Sequence, residues 1–509
     1  MVFGPRVGDL IEPLTGRHWD PETIRERWAR RLAVYQANGL RPGDRVFLHF
    51  GNTCEFFVEL LAIWQLGGCV APIDPRLTPF EVEMLSRWAC PRFAVWLESP
   101  GDAVMSAVGS PGVTALVVAS EDRERAAAAP AEWRPLALDQ DALILFTSGT
   151  TGSPKGVVHT HGSLRARWMS LYRALGVAAM RRTLCLLPTH FGHGLICNAL
   201  FPWLFEQDLY IGPSFKPDLL TRLGLLIDEH RITFMSSVPA MWRLAIKTSR
   251  PPRTESLRRI VCGSAPLTGA LWKEVQSWTG TTDVLNAYGI TETASWLAGT
   301  TVDGFVPADG LIGEPWGAAV KILGGGAAPT ADTSEVCRVG EPGRIWVKTA
   351  ALMRGYLDRD DLTREVVSDG WFATGDIGYV DDRGLLYLSG REREEINKGG
   401  VKVYPGDIDA VVERFPAIVD ACSFGYEDPL YGENVGIAVV ASPATAATLA
   451  EAYEWTRHRL AAHQMPVRWY LVDEISRTAR GKVNRASVAG HCAALTPIRI
   501  GATAIRASQ

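Results

Sequence analysis

The sequence predicts an α/β fold: a large N-terminal domain of layered αβ sheets carrying a small β subdomain, followed by a small α+β C-terminal domain. Three features predict it. Short apolar runs alternate with helical segments over most of the first 290 residues, the order that gives largely parallel sheets covered by helices. Over 312–390 glycine and proline become dense and the apolar runs shorten, as in a smaller antiparallel sheet. Beyond Gly390 a charged stretch, REREEINKGG, precedes a compact βαβ-like segment, which places a domain boundary between 1–392 and 393–509.

The elements follow in order. Ile24, Trp28, Leu32 and Tyr35 recur at helical spacing over 21–38, and Gly39 with Pro42-Gly43 stops the helix. RVFLHF reads as a buried strand, EFFVELLAIWQLG as a helix and CVAPIDP as a strand. The runs PRFAVWL, TALVVAS, ALILFT, TLCLLP, DLYIG, TFMSSVP, RRIVCG and DVLNAYG continue the series, each followed by a helical segment or a loop. GRIWVKTA and GLLYLSG are the alternating runs of the smaller sheet.

Composition narrows the function. With 47% hydrophobic and 21% charged residues the 509-residue chain is ordinary globular material. A net charge of -4 gives no basic field for nucleic acid or an anionic membrane. No apolar run reaches the length of a bilayer span, and the first residues lack a basic segment followed by an apolar block. The nine cysteines include no CxxC pair, so reduced thiols in a cytoplasmic protein are expected rather than a disulfide frame or zinc site.

The most informative segment is LILFTSGTTGSPKGVVHTHGSL, 143–164. An apolar strand runs into Thr147, Ser148, Gly149, Thr150, Thr151, Gly152, Ser153, Pro154 and Lys155. Consecutive small residues let backbone N–H groups converge on an anion; the hydroxyls add donors and Lys155 a charge. Only nine of the 52 basic residues are lysines, so a lysine inside this motif is not filler. The Gly-x4-Gly-Lys-Ser/Thr order of a Walker loop is absent, and Gly324-Gly325-Gly326 does not form the Gly-x-Gly-x-x-Gly pattern of a dinucleotide fold.

This segment resembles the signature loop of the acyl-adenylate-forming superfamily, which contains acyl-CoA synthetases, peptide-synthetase adenylation domains, luciferases and stand-alone amide bond synthetases. The resemblance continues in order through LPTHFGHGL, VCGSAPL, NAYGITET, GWFATGDIGYVDDRGLLYLSGREREEINKGG and RTARGKVNR. It implies ATP and Mg²⁺ as cofactors, a carboxylic acid as substrate, and a C-terminal domain that moves about a hinge at Arg393, where the family usually has Asp or Lys.

The resemblance also implies roles for single residues. Thr147, Ser148, Gly149, Thr150, Thr151 and Lys155 hold phosphate. Glu292 holds the metal and Thr291 the α-phosphate. Tyr288 stacks on adenine, which Gly263, Ser264, Ala265 and Pro266 border. Asp376 takes the ribose hydroxyls, which suits a carboxylate with two acceptor oxygens, and Arg391 is the second ribose contact. Lys482 bridges the substrate carboxylate and the α-phosphate, where two anions must meet. Ser476 stands where this last motif often begins with Pro.

Phe191 falls at the gating aromatic of the family, with Gly192 after it, where amino-acid-activating relatives carry Asp. An acid without an α-ammonium is therefore expected. Ser236, Ser237, Val238, Met241, Trp242, Gly289 and Ile290 form the expected wall, an apolar set suited to an aryl or acyl acid. For the acceptor, Gly399 and Gly400 lie in the loop that in the family swings over the site for the thioester step, so the CoA thiol is the first expectation. The alternative is an amine, for which His190 or His193 would supply the base. With 27 residues after Lys482, no fused carrier domain is expected.

Overall fold

A computed structural model of the chain describes residues 6–108, 112–118, 133–147, 155–214, 217–265, 267–301, 304–324, 335–391, 396–403, 405–476, 483 and 485–498. The chain divides into two compact units. The larger holds Met1–Pro75, Ser86–Phe146 and Gly156–Glu392; the smaller holds Arg76–Leu85, Thr147–Lys155 and Arg393–Gln509.

Helix Pro21–Ala37 forms where the periodicity places it. Asp20 caps it by accepting from Thr23 N at 2.8 Å, Pro21 occupies the first turn, and Ile24, Trp28, Leu32 and Tyr35 are all buried. Helix Cys54–Gln65, capped by Thr53, buries ten of its residues. Between such helices lie two sheets. In the seven-stranded sheet, Arg45–His49, Cys69–Pro72, Phe93–Trp96, Thr114–Val117 and Asp141–Thr147 run parallel. In the fourteen-stranded sheet, Arg182–Cys185, Asp208–Ile211, Phe234–Ser237, Arg259–Gly263 and Val284–Ile290 run parallel.

The antiparallel region is continuous with the second sheet. Val284–Ile290 pairs antiparallel with Ser295–Gly299, and Leu311–Pro315, Leu386–Arg391, Trp371–Val380, Gly343–Lys348 and Ala319–Leu323 extend the same sheet. The reversal takes place over 291–294, where Ala294 adopts a left-handed φ of 54°. Parallel strands present their C-terminal ends along one edge, which is where open α/β sheets bind ligands. The loops that leave this edge begin at Phe50, Ile73, Leu186, Val238, Ser264 and Thr291.

The smaller unit has its own core, from Ile396 and Val403 through Val435, Ile437 and Val439 to Leu449 and Trp469. Ile418–Asp428 and Gly432–Ala441 pair antiparallel. Helix Ala446–Arg457 then crosses over to Arg468–Leu471, which runs parallel to Gly432–Ala441. Strands Ile396–Lys398 and Val401–Val403 form a hairpin with Gly399 and Gly400 as its two-residue turn. Their φ values are 62° and 88°, the left-handed pair that a tight turn of this length requires.

One buried ion pair ties this unit together. Asp409, on helix Pro405–Val412, lies 2.6 Å from Arg485 of helix Arg485–Ala493 and accepts from Ser423 N at 2.5 Å. The same Arg485 donates to Ser423 O at 2.7 Å. Removing Asp409 takes the acceptor from the buried Ser423 N–H and the carboxylate from the half-buried Arg485. Asp409→Ala is therefore expected to cost about 1–3 kcal/mol in denaturant unfolding of this unit. An unchanged midpoint would contradict the pairing.

Candidate active site

The reversal at 291–294 places Glu292, half-buried, at the C-terminal edge of the large sheet. Its backbone is held at three carbonyls. His159 Nε2 donates to Thr291 O at 2.7 Å, Met353 N to Glu292 O at 2.7 Å, and Arg167 Nε and Nη2 to Thr293 O at 3.2 and 2.9 Å. Tyr356 Oη donates to Glu292 Oε1 at 2.8 Å and so aims the carboxylate. A carbonyl can only accept, so His159 carries its proton on Nε2; Nδ1 lies 3.1 Å from Ser163 Oγ. Burial pulls His159 down to about 4, which keeps it neutral. Burial also lowers Arg167, to about 10, and it stays cationic at neutral pH.

Tyr288 and Asp376 come together across 88 residues: the tyrosine hydroxyl donates to Asp376 Oδ2, and both side chains are buried. Asp376 lies directly across from Arg391 in the register of Trp371–Val380 and Leu386–Arg391. Thr374 Oγ1 accepts from Asp376 N at 3.1 Å and donates to Ile345 O at 2.8 Å, which fixes the strand at this point.

The segment from Pro188 to Gly194 runs between the two sheets. Thr189 N donates to Asn52 Oδ1 at 3.0 Å and Thr189 Oγ1 to Gly51 O at 2.9 Å, tying it to the first sheet. His193 ties it to the second. Its Nε2 lies 2.5 Å from Ser236 Oγ and its Nδ1 2.7 Å from Ser264 Oγ, with Trp296 packed edge-on to the ring. Ser236 Oγ also lies 3.2 Å from Val261 O, to which its hydroxyl donates. His193 then donates from Nε2 and accepts at Nδ1 from Ser264. Burial holds it down to about 3. His193 also opens a buried π-helix, His193–Leu200. Gly194 follows because a Cβ there would meet Pro188 O at 2.2 Å.

Phe191 is half-buried, with the His190 ring 4.5 Å from its own; His190 Nε2 lies 3.3 Å from Asp74 Oδ2. A Cβ at Gly192 would meet Leu145 Cδ1 at 3.3 Å and Ser295 Cβ at 3.5 Å. Of the expected wall, Ser236, Ser237, Val238 and Ile290 are buried and Gly289 is half-buried. Met241 and Trp242 belong to a buried core with Leu226, Ile260 and Trp272, where Trp242 donates to Ser237 Oγ at 2.7 Å and packs on Trp278. Gly263 ends its strand and Ser264 takes a left-handed φ of 64°, with Ala265 half-buried beside it.

Thr147 and Lys155 are the described ends of the phosphate loop, and Thr147 Oγ1 donates to Lys155 O at 3.4 Å. Ser148, Gly149, Thr150, Thr151, Pro266, Arg393 and Lys482 lie outside the described residues, as does the side chain of Arg391. Four residues of the site escape motif reading: Asp74, His159, Arg167 and Tyr356. For His159 there was a signal, a polar residue inside the buried run Lys155–Thr160. For the others the partner is 64 to 126 residues distant, beyond any local pattern.

His159 and His193 share their condition with two more buried histidines. Burial lowers His49 and His193 to about 3 and His159 and His161 to about 4, against 6.5 in an open chain. The folded protein keeps them neutral while the unfolded chain takes up protons below pH 6.5. Their contribution is present in full above that pH and is lost as pH falls towards 4. Urea unfolding followed from pH 8 to 4.5 should show stability declining steadily below 6.5; a flat profile would contradict the assignment.

Residues 25–357 match the AMP-binding enzyme family and residues 407–482 the AMP-binding enzyme C-terminal domain. The chain is similar to the 2-succinylbenzoate–CoA ligase of Bacillus licheniformis, 31% identical over 452 residues, covering 88% of this chain and 89% of the relative. It is 29% identical to the oxalate–CoA ligase of Arabidopsis thaliana over 490 residues, covering 92% and 91%. Among solved structures, o-succinylbenzoate CoA synthetase from Bacillus subtilis superposes with a TM-score of 0.82 at 25% identity, covering 98% of this chain and 97% of the other. An amide bond synthetase from Marinactinospora thermotolerans gives 0.81 at 24% identity, covering 96% and 97%, a likeness of fold alone. The matches run through both units and take in the strand of Tyr288, the turn of Glu292 and residues 147–155, so the chain belongs to the AMP-binding enzyme family.

Proposed function

We propose that the protein is an ATP-dependent ligase that joins an apolar carboxylic acid to AMP, releases pyrophosphate, and passes the acyl group to the thiol of CoA. The observation that carries the reading is the hydrogen bond from Tyr288 to Asp376 across the large sheet, with Glu292 aimed by Tyr356 in the turn that directly follows the strand of Tyr288. A phosphate-chain anchor and a ribose acceptor are thereby held on a rigid frame. The relatives named as CoA ligases support the thiol as acceptor. The glycine pair at 399–400 does not select it, because the hairpin turn requires both residues.

Each group then has a task. Asp376 accepts the two ribose hydroxyls, with Tyr288 beside the base and Arg391 opposite. The loop from Thr147 to Lys155 holds the β- and γ-phosphates. Lys482, assigned by its motif, serves to lower the repulsion between the substrate carboxylate and the α-phosphate. Thr291 donates to the α-phosphate. Among the described residues no three His, Cys, Asp or Glu side chains gather as a metal cage. A single aimed carboxylate, Glu292, fits Mg²⁺ better than a cage would, since that ion keeps waters and phosphate oxygens as its other ligands. The ion would neutralise phosphate charge. Gly192 brings no carboxylate where an ammonium would need one, and a side chain there would have to displace Leu145 Cδ1 slightly, which supports an acid lacking an α-amino group. Among the described residues no helix is long and apolar enough to cross a membrane.

Carboxylate-dependent exchange of pyrophosphate into ATP tests the reading. Aryl, cinnamic-type and medium-chain acids should support exchange and α-amino acids should not. Activity confined to α-amino acids would refute the pocket assignment. Lys482→Ala should lower exchange by about 100-fold or more, the scale of a lost transition-state cation, while supplied acyl-AMP is still consumed. Exchange at the parent rate would sink the role given to Lys482.

A further inference from the structure

We propose that Asp74 and His190 form a proton acceptor for a nitrogen nucleophile, so that the enzyme also converts its acyl-adenylate into an amide with a primary amine. The proposal rests on the adenylating reading above. Asp74 follows strand Cys69–Pro72 of one sheet and His190 follows Arg182–Cys185 of the other, so the pair stands where the C-terminal edges of the two sheets meet. Both side chains are buried, with Nε2 3.3 Å from Oδ2. In this conformation the buried Nε2 makes no hydrogen bond, and among the described residues none occupies Nδ1. The ring is packed against Phe191, at the expected mouth of the acyl pocket.

This arrangement divides the roles of two histidines that sequence leaves equivalent. His193 has both nitrogens engaged, by Ser236 and Ser264, and its one lone pair, at Nδ1, is taken up by the Ser264 hydroxyl. It is a tether. His190 faces a carboxylate, and a carboxylate that takes the Nε2–H turns Nδ1 into the basic nitrogen and stabilises the imidazolium that forms. Asp74 is the positioning residue of the pair.

The chemistry distinguishes acceptors. A thiol loses its proton before attack, and the thiolate brings none to the site. An amine attacks with its N–H bonds intact. Its nitrogen lone pair forms the C–N bond to the acyl carbon, and the C–O bond to the phosphate breaks. AMP leaves with that electron pair, and one N–H proton passes to His190 Nδ1 and on to solvent. Without a base at hand the cationic adduct collapses back to amine and acyl-adenylate. A positioned base contributes roughly 10²- to 10⁴-fold.

The test supplies chemically made acyl-AMP to the full-length enzyme with either CoA or an aromatic amine that is unprotonated across the pH range. The wild type should form amide faster than the uncatalysed mixture. His190→Gln should lower the ratio of amide to thioester by about 100-fold. Asp74→Asn should lower kcat for amide with little change in the KM for amine, and Asp74→Glu should restore part of it. The wild-type amide rate should also follow the ionisation of one enzyme group, a dependence that His190→Gln removes. Among the described residues Asp74 is the ionisable group facing His190, while His193 faces the two serines. Equal losses of amide and thioester, or an amide rate no faster than without enzyme, would overturn the proposal. If a variant does not fold, the wild-type profile decides, since a pH-independent amide rate overturns it too. Because acyl-AMP is supplied, failure of adenylation is read separately, as absent pyrophosphate exchange.

Discussion

Arg167 is fully buried and, among the described residues, faces no carboxylate. Its guanidinium is satisfied by neutral acceptors: Thr293 O, Trp316 O at 2.8 Å and Ser170 Oγ at 3.1 Å. The turn at 291–294 depends on it. That turn converts a parallel sheet into an antiparallel one, and it carries Glu292 at its apex. Without Arg167 two buried carbonyls lose their donors, at about 1–3 kcal/mol each. His159 holds the same turn from the strand that leaves the phosphate loop. The carboxylate and that strand are therefore in fixed register before any ligand arrives, which is the kind of preorganisation that electrostatic catalysis needs.

The same logic runs through the segment from Pro188 to Gly194. It is fastened to one sheet by Thr189 and to the other by His193, and the side chains between the fastenings are those of His190 and Phe191. Neutral histidines serve as tethers at both places because they can donate and accept at once, and burial keeps them in the form that does so. Asp74–His190 differs in kind. It sets an imidazole beside a carboxylate, with Nε2 3.3 Å from Oδ2.

Much of the fold was legible because it is governed by local pattern. The helix at 21–37, the run of parallel strands and the change of texture after 312 follow from spacing and from glycine and proline. The continuity of the large sheet was not legible, because the reversal is stabilised by an arginine 126 residues away from its acceptor. The nucleotide motifs were legible as motifs, and the Tyr288–Asp376 contact adds a reason for the pair to be found together. The glycines at 399 and 400 show the limit of such reading. A space for a thin acceptor chain and a left-handed hairpin turn call for the same residues, and only backbone angles separate the two demands. Trp242 is similar: an aromatic near an expected pocket, whose indole N–H and ring are taken up within the core.

The central claim is that a substrate carboxylate attacks the α-phosphorus of ATP, and oxygen labelling tests it most directly. A turnover run with acid carrying ¹⁸O in both carboxylate oxygens should place one labelled oxygen in the phosphate of AMP, because the acyl–oxygen bond breaks when the acceptor attacks. The pyrophosphate should carry none. Unlabelled AMP, or label in inorganic phosphate together with ADP, would contradict the account.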